Sequence, residues 1–132
     1  MSIVFNKVER ANPQDRTKKK WYPVLRTVRK VSEKEVAREI ADETTLNNKE
    51  AEMGLYQLEK VLIRNLLSGN SVQIGEWGSF HLTCNGEGGD TKEDVSASSI
   101  KGLNIRFVAG KSLRDALSNA TFISAESLVT GK

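Results

Sequence analysis

The sequence predicts an α+β fold, because helical and strand periodicity occupy separate stretches of its 132 residues. Between Ser32 and Ser68, apolar residues recur at helical spacing. After Gly69 the apolar period shortens from about 3.6 residues to about 2, which is typical of strands. A further stretch, residues 1–31, is rich in β-forming residues. The chain length fits one ordinary domain.

The N-terminal stretch predicts a β-hairpin with a long loop. Residues 3–8 are typical of a short strand, and residues 21–31 are typical of a second strand with Pro23 near its start. The loop between them contains Asn12-Pro13-Gln14-Asp15, which favours a turn. We therefore expect an extra hairpin ahead of the helices.

Two helices follow, and each begins with a capping pattern. Ser32 and Glu35 have the spacing of a capping box, in which each residue satisfies a backbone N–H of the other. Asn47 or Asn48 is suited to cap the second helix, which we expect over about residues 49–68. Flanking apolar residues widen its main stripe, so this helix should be packed on more than one side. The stripe comprises Ala51, Leu55, Leu58, Leu62 and Leu66.

The rest of the chain predicts three strands, an arm and a closing helix. Two strands flank Gly75–Gly78, where glycine permits a tight turn or bulge. A polar stretch over residues 85–99 separates them from a third strand over residues 100–108. Gly110 then leads into a short helix. No regular element is predicted from Thr121 onward, where apolar residues are scattered.

Positive charge is concentrated at the N-terminal end of the chain. The net charge is +3, but residues 1–38 carry +7 and residues 39–132 carry −4. A basic segment on an acidic body indicates contact with a polyanion. A solvated arm without a partner would have the same composition, so charge alone leaves both interpretations open.

The composition disfavours most enzyme and metal chemistry. The chain has one histidine, His81, and one cysteine, Cys84. A structural zinc site needs about four such ligands, and a catalytic triad would have only His81 as its base. We therefore expect no metal, no cofactor, no small-molecule substrate and no enzymatic activity. The single cysteine forms no internal disulfide, no stretch approaches the ~20 apolar residues of a membrane-spanning helix, and no signal-peptide pattern is present, so we expect a cytoplasmic protein without membrane contact.

Two motifs, in order and with an arm between them, resemble the signatures of a known family. Residues 68–80, SGNSVQIGEWGSF, are similar to "G-x-x-V-x-(L/I)-x-x-(F/L)-G-x-F", and residues 107–117, FVAGKSLRDAL, are similar to "F-x-x-G-K-x-L-(K/R)". These are signatures of the bacterial histone-like HU and integration host factor family. The resemblance covers residues 32–120 and leaves a basic extension, residues 1–31, and a tail, residues 121–132.

The resemblance implies an intertwined homodimer. Each chain would supply two helices to a shared base, and a three-stranded antiparallel sheet whose β-arm, about residues 85–102, reaches around the DNA minor groove. The apolar surface of the second helix and the aromatic residues also exceeds what one small sheet covers, which favours a dimer. The residues expected in the dimer core are Leu55, Leu58, Leu62, Leu66, Trp77, Phe80 and Phe107.

The arm departs from the family pattern. The family's arm is basic and carries a proline that wedges between base pairs. Here residues 85–102 contain two lysines and four acids, and neither arginine nor proline. An acidic arm disfavours contact with phosphates, so we do not expect kinking of the family type.

The basic residues available for DNA contact therefore lie mostly outside the arm. Lys111 and Arg114 match the family's basic residues at the start of the last helix, where backbone N–H groups also favour phosphate. Arg26 and Arg29 should lie on opposite faces of the predicted second strand. The candidate DNA contacts are Lys18, Lys19, Lys20, Arg26, Arg29, Lys92, Lys101, Arg106, Lys111 and Arg114.

Two functions from different classes remain open. The first is a nucleoid-associated, histone-like architectural protein, which as a homodimer binds and condenses duplex DNA through phosphates with low sequence specificity. The alternative is an interaction or structural module on the same fold that has lost DNA bending, because its arm is acidic and lacks the wedge proline. In that case the N-terminal strands would pair with a partner's sheet edge.

Overall fold

The fold is described by a computed structural model that covers residues 1–129. The last three residues of the expected tail, residues 130–132, lie outside the described part. Within residues 1–129 the chain forms helices and two three-stranded sheets, so the predicted α+β class is confirmed. The chain divides into two compact units: residues 1–31 together with the chain from residue 117, and residues 32–116. Residues 121–129 of the tail thus belong to the same unit as the N-terminal extension.

The first unit begins with the predicted hairpin. Strands β1 (Ile3–Ala11) and β2 (Lys19–Leu25) pair antiparallel along their whole length. The turn between them is closed by the backbone N–H of Asn12, which donates to the carbonyl oxygen of Lys18 at 2.8 Å. The Asn-Pro-Gln-Asp sequence therefore does form the turn that its composition favours.

The predicted extent of the second strand is wrong, because β2 ends at Leu25 instead of Val31. Leu25 lies opposite Phe5, and the backbone N–H of Arg26 still donates to the carbonyl of Val4 at 2.8 Å. The same register would place residues 26 and 27 opposite Val4 and Ile3, and residues 28–31 would run past the start of β1 and have no strand to pair with. A strand depends on its partner, and residues 26–31 therefore continue outside the sheet.

The chain from Thr121 supplies elements that the sequence does not predict. Strand β6 (Phe122–Ser124) pairs parallel with the start of β1, and a short helix, α4 (Ala125–Val129), follows it. The order of the sheet is β2-β1-β6, so β1 is the central strand. Its Val4 is only 6 % exposed and forms the apolar centre of this unit.

The second unit opens with the two predicted helices, α1 (Glu33–Glu43) and α2 (Asn48–Leu67). The Ser32 hydroxyl accepts a hydrogen bond from the Glu35 N–H at 3.3 Å, as its position predicts. Asn47 caps α2 with a reciprocal box: its side chain accepts from the Glu50 N–H at 2.8 Å, and the Glu50 carboxylate accepts from the Asn47 N–H at 3.0 Å.

A second sheet and a closing helix complete this unit. Strands β3 (Val72–Ile74), β4 (Gly78–Gly86) and β5 (Ile100–Ala109) pair antiparallel in that order, and α3 (Lys111–Ser118) follows. Two glycines permit close packing here. A Cβ at Gly78 would collide with the Phe107 ring, and a Cβ at Gly110 would collide with the carbonyl oxygen of Glu76. The glycines of both motifs are thus required by backbone and ring contacts.

One chain provides this unit with very little core. Its buried apolar residues are few, and two of them are alanines: Ala37, Ala51 and Leu66. Within the described residues, no large side chain is fully buried. Apart from Leu66, the larger apolar residues of α2, β4 and β5 are exposed or only partly buried in the single chain.

Candidate nucleic-acid interface

The ribbon formed by β4 and β5 has one apolar and one polar face. The pairing places Phe80 opposite Phe107 and Leu82 opposite Ile105 on the apolar face. Because successive strand residues point to opposite faces, His81 and its partner Arg106 lie on the polar face. The candidate Arg106 is therefore on the face away from Phe107.

The polar face of the ribbon carries hydrogen-bonding side chains and one arginine, Arg106. The Ser79 hydroxyl and the His81 Nε2 are 2.9 Å apart, so the imidazole is held beside the sheet. Thr83 and Asn104 form the next cross-strand pair toward the arm. Arg106 is exposed on this face, and an exposed guanidinium on a polar sheet face can contact phosphate or base edges.

The start of α3 presents the next two candidate cations. Lys111 and Arg114 are both exposed, one turn apart. The Lys111 Nζ is 2.7 Å from the Asp115 carboxylate, with both side chains largely in solvent. An exposed i,i+4 pair of this kind contributes only about 0.3–0.5 kcal/mol, so a phosphate can replace the carboxylate at small cost.

The expectation that backbone N–H groups at this helix start are open to phosphate is wrong for two of them. The Gly110 N–H donates to the Trp77 carbonyl at 2.8 Å, and the Ser112 N–H donates to the Glu76 carbonyl at 3.2 Å. These bonds fasten α3 to the turn between β3 and β4. These two N–H groups are therefore not available to an anion, and the side chains of Lys111 and Arg114 are the cations that this helix start presents.

The arm is ordered by its own backbone and keeps its negative charge. Between β4 and β5 the chain forms two 3-10 turns, Lys92–Asp94 and Ala97–Ser99. The Glu87 N–H donates to the Ser99 carbonyl at 2.9 Å and closes the base of this loop. Lys101 lies 3.9 Å from the Glu87 carboxylate. The two arm lysines thus lie among acids, Lys92 within an acidic turn and Lys101 in an ion pair.

The remaining candidates belong to the hairpin of the first unit. Lys18 ends its loop, and Lys19 and Lys20 begin β2, all three exposed. Lys20 lies directly opposite Arg10 of β1. The sequence prediction missed Arg10, because it ended the first strand at Val8 and placed this residue in the loop, whereas β1 runs to Ala11. No apolar alternation continues past Val8 to signal the longer strand.

The turn of this hairpin is fixed by an aspartate. The Asp15 carboxylate accepts a hydrogen bond from the Thr17 hydroxyl at 2.6 Å and another from the Thr17 N–H at 3.1 Å. These bonds favour the ionised carboxylate and hold the pKa of Asp15 below its ordinary value of 3.8. The turn that carries the lysines is therefore ordered while Asp15 is charged.

Arg26 and Arg29 do not share a strand. Arg26 directly follows β2 and is joined to β1 by its backbone N–H, whereas Arg29 lies in the irregular segment beyond. The prediction that they occupy opposite faces of one strand is wrong, since that strand ends at Leu25.

The residues expected in a dimer core surround an aromatic cluster. The ring centroids of Phe80 and Phe107 are 5.1 Å apart, and that of Trp77 is 5.8 Å from Phe107. In the single chain Trp77 is 43 % exposed and Phe107 is 40 % exposed. Of the four leucines of α2 in this set, Leu66 is buried, Leu55 and Leu62 are half-buried, and Leu58 is exposed. This surface is apolar and incompletely covered.

Other kinds of site find no support in the described residues. Within residues 1–129 no group of three or more His, Cys, Asp or Glu side chains is placed to hold a metal ion. None of the helices in that range is both long and apolar enough to span a membrane. The candidate DNA contacts lie in both units: Arg106, Lys111, Arg114 and the arm lysines in the second, and the hairpin lysines with Arg26 and Arg29 in the first.

Two capped helices, a three-stranded sheet with a long ribbon and a closing helix define an HU-type fold. The family of HU domains fused to a wHTH, Ig or glycine-rich motif matches residues 1–124, so the chain belongs to this family. The resemblance to HU proteins inferred from the two motifs is thereby confirmed.

Solved structures agree on the fold. A protein of Bacteroides vulgatus described as a bacterial DNA-binding protein is similar over 92 % of this chain, with a TM-score of 0.65 and 17 % identity. The chain spans about half of that protein, 48 % of its length. HU in the Anabaena HU–DNA cocrystal is similar over 67 % of this chain and 98 % of its own, with a TM-score of 0.53 and 19 % identity. A search of the curated proteins finds no match.

Proposed function

We propose that this chain is a histone-like architectural protein that binds duplex DNA through phosphate contacts, with low sequence specificity. The match of an HU-domain family over residues 1–124 is the observation that carries the proposal. The similar Anabaena protein was crystallised with DNA, which supports the same class of ligand here. In this role the protein holds and condenses DNA in the nucleoid and catalyses no reaction.

The cations proposed to contact phosphates form one set on each unit. Arg106, Lys111 and Arg114 belong to the HU-type unit, and Lys18–Lys20 belong to the hairpin. Both sets consist of lysine and arginine side chains, and the attraction between these cations and phosphates does not depend on the base sequence. We therefore expect low sequence specificity. The acidic arm is not the main contact, and DNA bending by a proline wedge is not part of this proposal.

The proposal includes a homodimer. The single HU-type unit leaves Trp77, Phe107 and Ile105 in contact with water, the last at 66 % exposure. A unit of this size with only a few small buried residues does not bury enough apolar surface to be stable alone. A second copy with the same apolar ribbon face and α2 surface would cover both sets of residues at once.

The test is binding to a labelled duplex of about 30 base pairs at about 50 and 200 mM salt. Phosphate binding predicts an affinity that falls steeply between the two salt concentrations, by about 0.9 log units per log unit of salt for each phosphate neutralised. The same titration with a second duplex of unrelated sequence should give a similar dissociation constant. A folded protein that binds neither duplex at low salt would refute the proposal and favour a protein-interaction module.

A further inference from the structure

The first unit exposes a large aromatic side chain beside its basic loop. Trp21 lies in β2 and is 67 % exposed. Tryptophan carries one of the largest apolar surfaces of any side chain, and leaving most of it in water costs free energy unless a partner covers it. The described part of the chain has a second tryptophan, Trp77, but that one belongs to the aromatic cluster of the other unit.

The surroundings of Trp21 are basic. Lys19 precedes it by two residues and therefore shares its face of the sheet. Lys20 and the opposing Arg10 lie on the other face, and Lys18 ends the adjoining loop. Residues 10–20 together contain five Lys and Arg residues and one carboxylate, Asp15. The single carboxylate that lies directly across from the indole is Glu9.

An exposed aromatic ring next to flexible lysines is the arrangement that binds unpaired nucleotides. Every base has a flat face that can stack on an indole, and lysines along the same strand follow the phosphate backbone. With a strand rise of about 3.4 Å per residue, Lys19 lies about 7 Å along the strand from Trp21. A base stacked on the indole therefore places its own phosphate within reach of the Lys19 ammonium.

We propose that Trp21 is a stacking platform for an unpaired base of single-stranded DNA, and that Lys18–Lys20 hold its phosphates. This rests on the proposed function only in that the hairpin meets DNA. In a duplex the base faces are stacked on each other and closed to the indole, so the platform acts at gaps, ends or opened segments. It gives the protein a preference for partly unpaired DNA, which the phosphate contacts alone do not provide.

The test compares two single-stranded oligomers of equal charge, and substitutions at two similarly exposed side chains of β2. The full-length chain is titrated with a labelled thymidine oligonucleotide of about 12 nucleotides, with an abasic oligomer of the same phosphate count, and with a blunt duplex. Trp21→Ala removes the platform. Leu25→Ala is the matched control, because Leu25 is 62 % exposed on the same face of β2 but lies at its other end. In Trp21→Phe the remaining tryptophan fluorescence comes from Trp77, so the difference from wild type gives the emission of Trp21.

Stacking predicts that Trp21→Ala raises the dissociation constant for the thymidine oligonucleotide at least about fivefold, which is the low end of measured stacking losses. Leu25→Ala should change it less than about twofold, and binding should quench Trp21 emission. The wild-type chain should also prefer the thymidine oligonucleotide to the abasic oligomer, a comparison that needs no variant.

Equal affinity of the wild-type chain for the two oligomers, or equal affinity of wild type and Trp21→Ala for the thymidine oligonucleotide, overturns the inference. In either case duplex binding that falls with salt leaves the proposed function standing. If the wild-type chain does not bind the duplex but binds the thymidine oligonucleotide through Trp21, the proposed function fails and the stacking platform stands. Failure of the inference and failure of the proposed function are thus distinguishable.

Discussion

Phe107→Ala tests whether the apolar ribbon face lies between two copies of the chain. The Phe107 ring contacts Phe80 and Trp77 and fills the space above Gly78. In the single chain 40 % of the Phe107 surface remains exposed, so contacts within one chain bury a little over half of this residue. In the proposed dimer the partner covers the rest.

The two arrangements predict different losses of stability. Replacing a fully buried phenylalanine by alanine costs about 3–5 kcal/mol. Scaled to the burial in one chain, the loss is about 2–3 kcal/mol, whereas a dimer loses the full amount in each subunit, about 6–10 kcal/mol per dimer. Because unfolding of a dimer is coupled to dissociation, its midpoint also rises with protein concentration.

Urea unfolding of wild type and Phe107→Ala at two protein concentrations, with mass from light scattering, measures both quantities. The control is Phe122→Ala, which truncates a 61 % exposed phenylalanine in the first unit and should cost much less. Wild-type unfolding that is independent of concentration, together with a loss of only about 2–3 kcal/mol for Phe107→Ala, would show that no second chain covers this face.

Three further predictions concern the cations, the hairpin turn and the start of α3. Replacing Lys111 and Arg114 together by alanine should lower the salt slope of duplex binding by about 1.8 for each subunit that contacts the duplex, two phosphates at about 0.9 each. Lys49→Ala, at an exposed cation at the start of α2, should leave the slope unchanged, and an unchanged slope in the double variant would remove Lys111 and Arg114 from the interface. The pKa of Asp15 is lowered in the fold, so its contribution to the hairpin turn is complete above its ordinary value of 3.8 and is lost as the pH falls through the lowered folded-state value; a carboxyl carbon NMR titration with a midpoint at or above that ordinary value would contradict this. Gly110→Ala places a methyl group on a carbonyl oxygen of the β3–β4 turn and should destabilise the unit by about 1–3 kcal/mol; an unchanged urea midpoint would show that α3 can shift without cost.

Local signals in the sequence predicted the helices and the second sheet. Asn47 and Glu50 form their capping box through contacts within four residues, and Gly69, with φ of +86°, ends the turn that follows α2. The change of period after Gly69 likewise reflects a local alternation of faces. Such features depend on near neighbours in the chain, and the sequence therefore carries them plainly.

The features that sequence reasoning missed depend on partners far along the chain. The predicted second strand is too long because its register runs past the start of β1, and β6 forms by pairing with that same distant end of β1. The backbone amides at the start of α3 are closed by carbonyls of the preceding turn, which no local pattern announces. Charge on the candidate residues is visible in the sequence, but the ion pairs of Lys101 and Lys111 appear only in the fold.

Dimeric DNA binding is tested by the mass of the protein–DNA complex in solution, measured by sedimentation of the full chain with a duplex of about 30 base pairs at low salt. A homodimer that binds phosphates should have a free mass of twice the 14.6 kDa chain mass, and its complexes should contain an even number of chains and dissociate as salt is raised. A monomer that stays folded, or a folded dimer that sediments apart from the duplex at low salt, would contradict dimeric DNA binding.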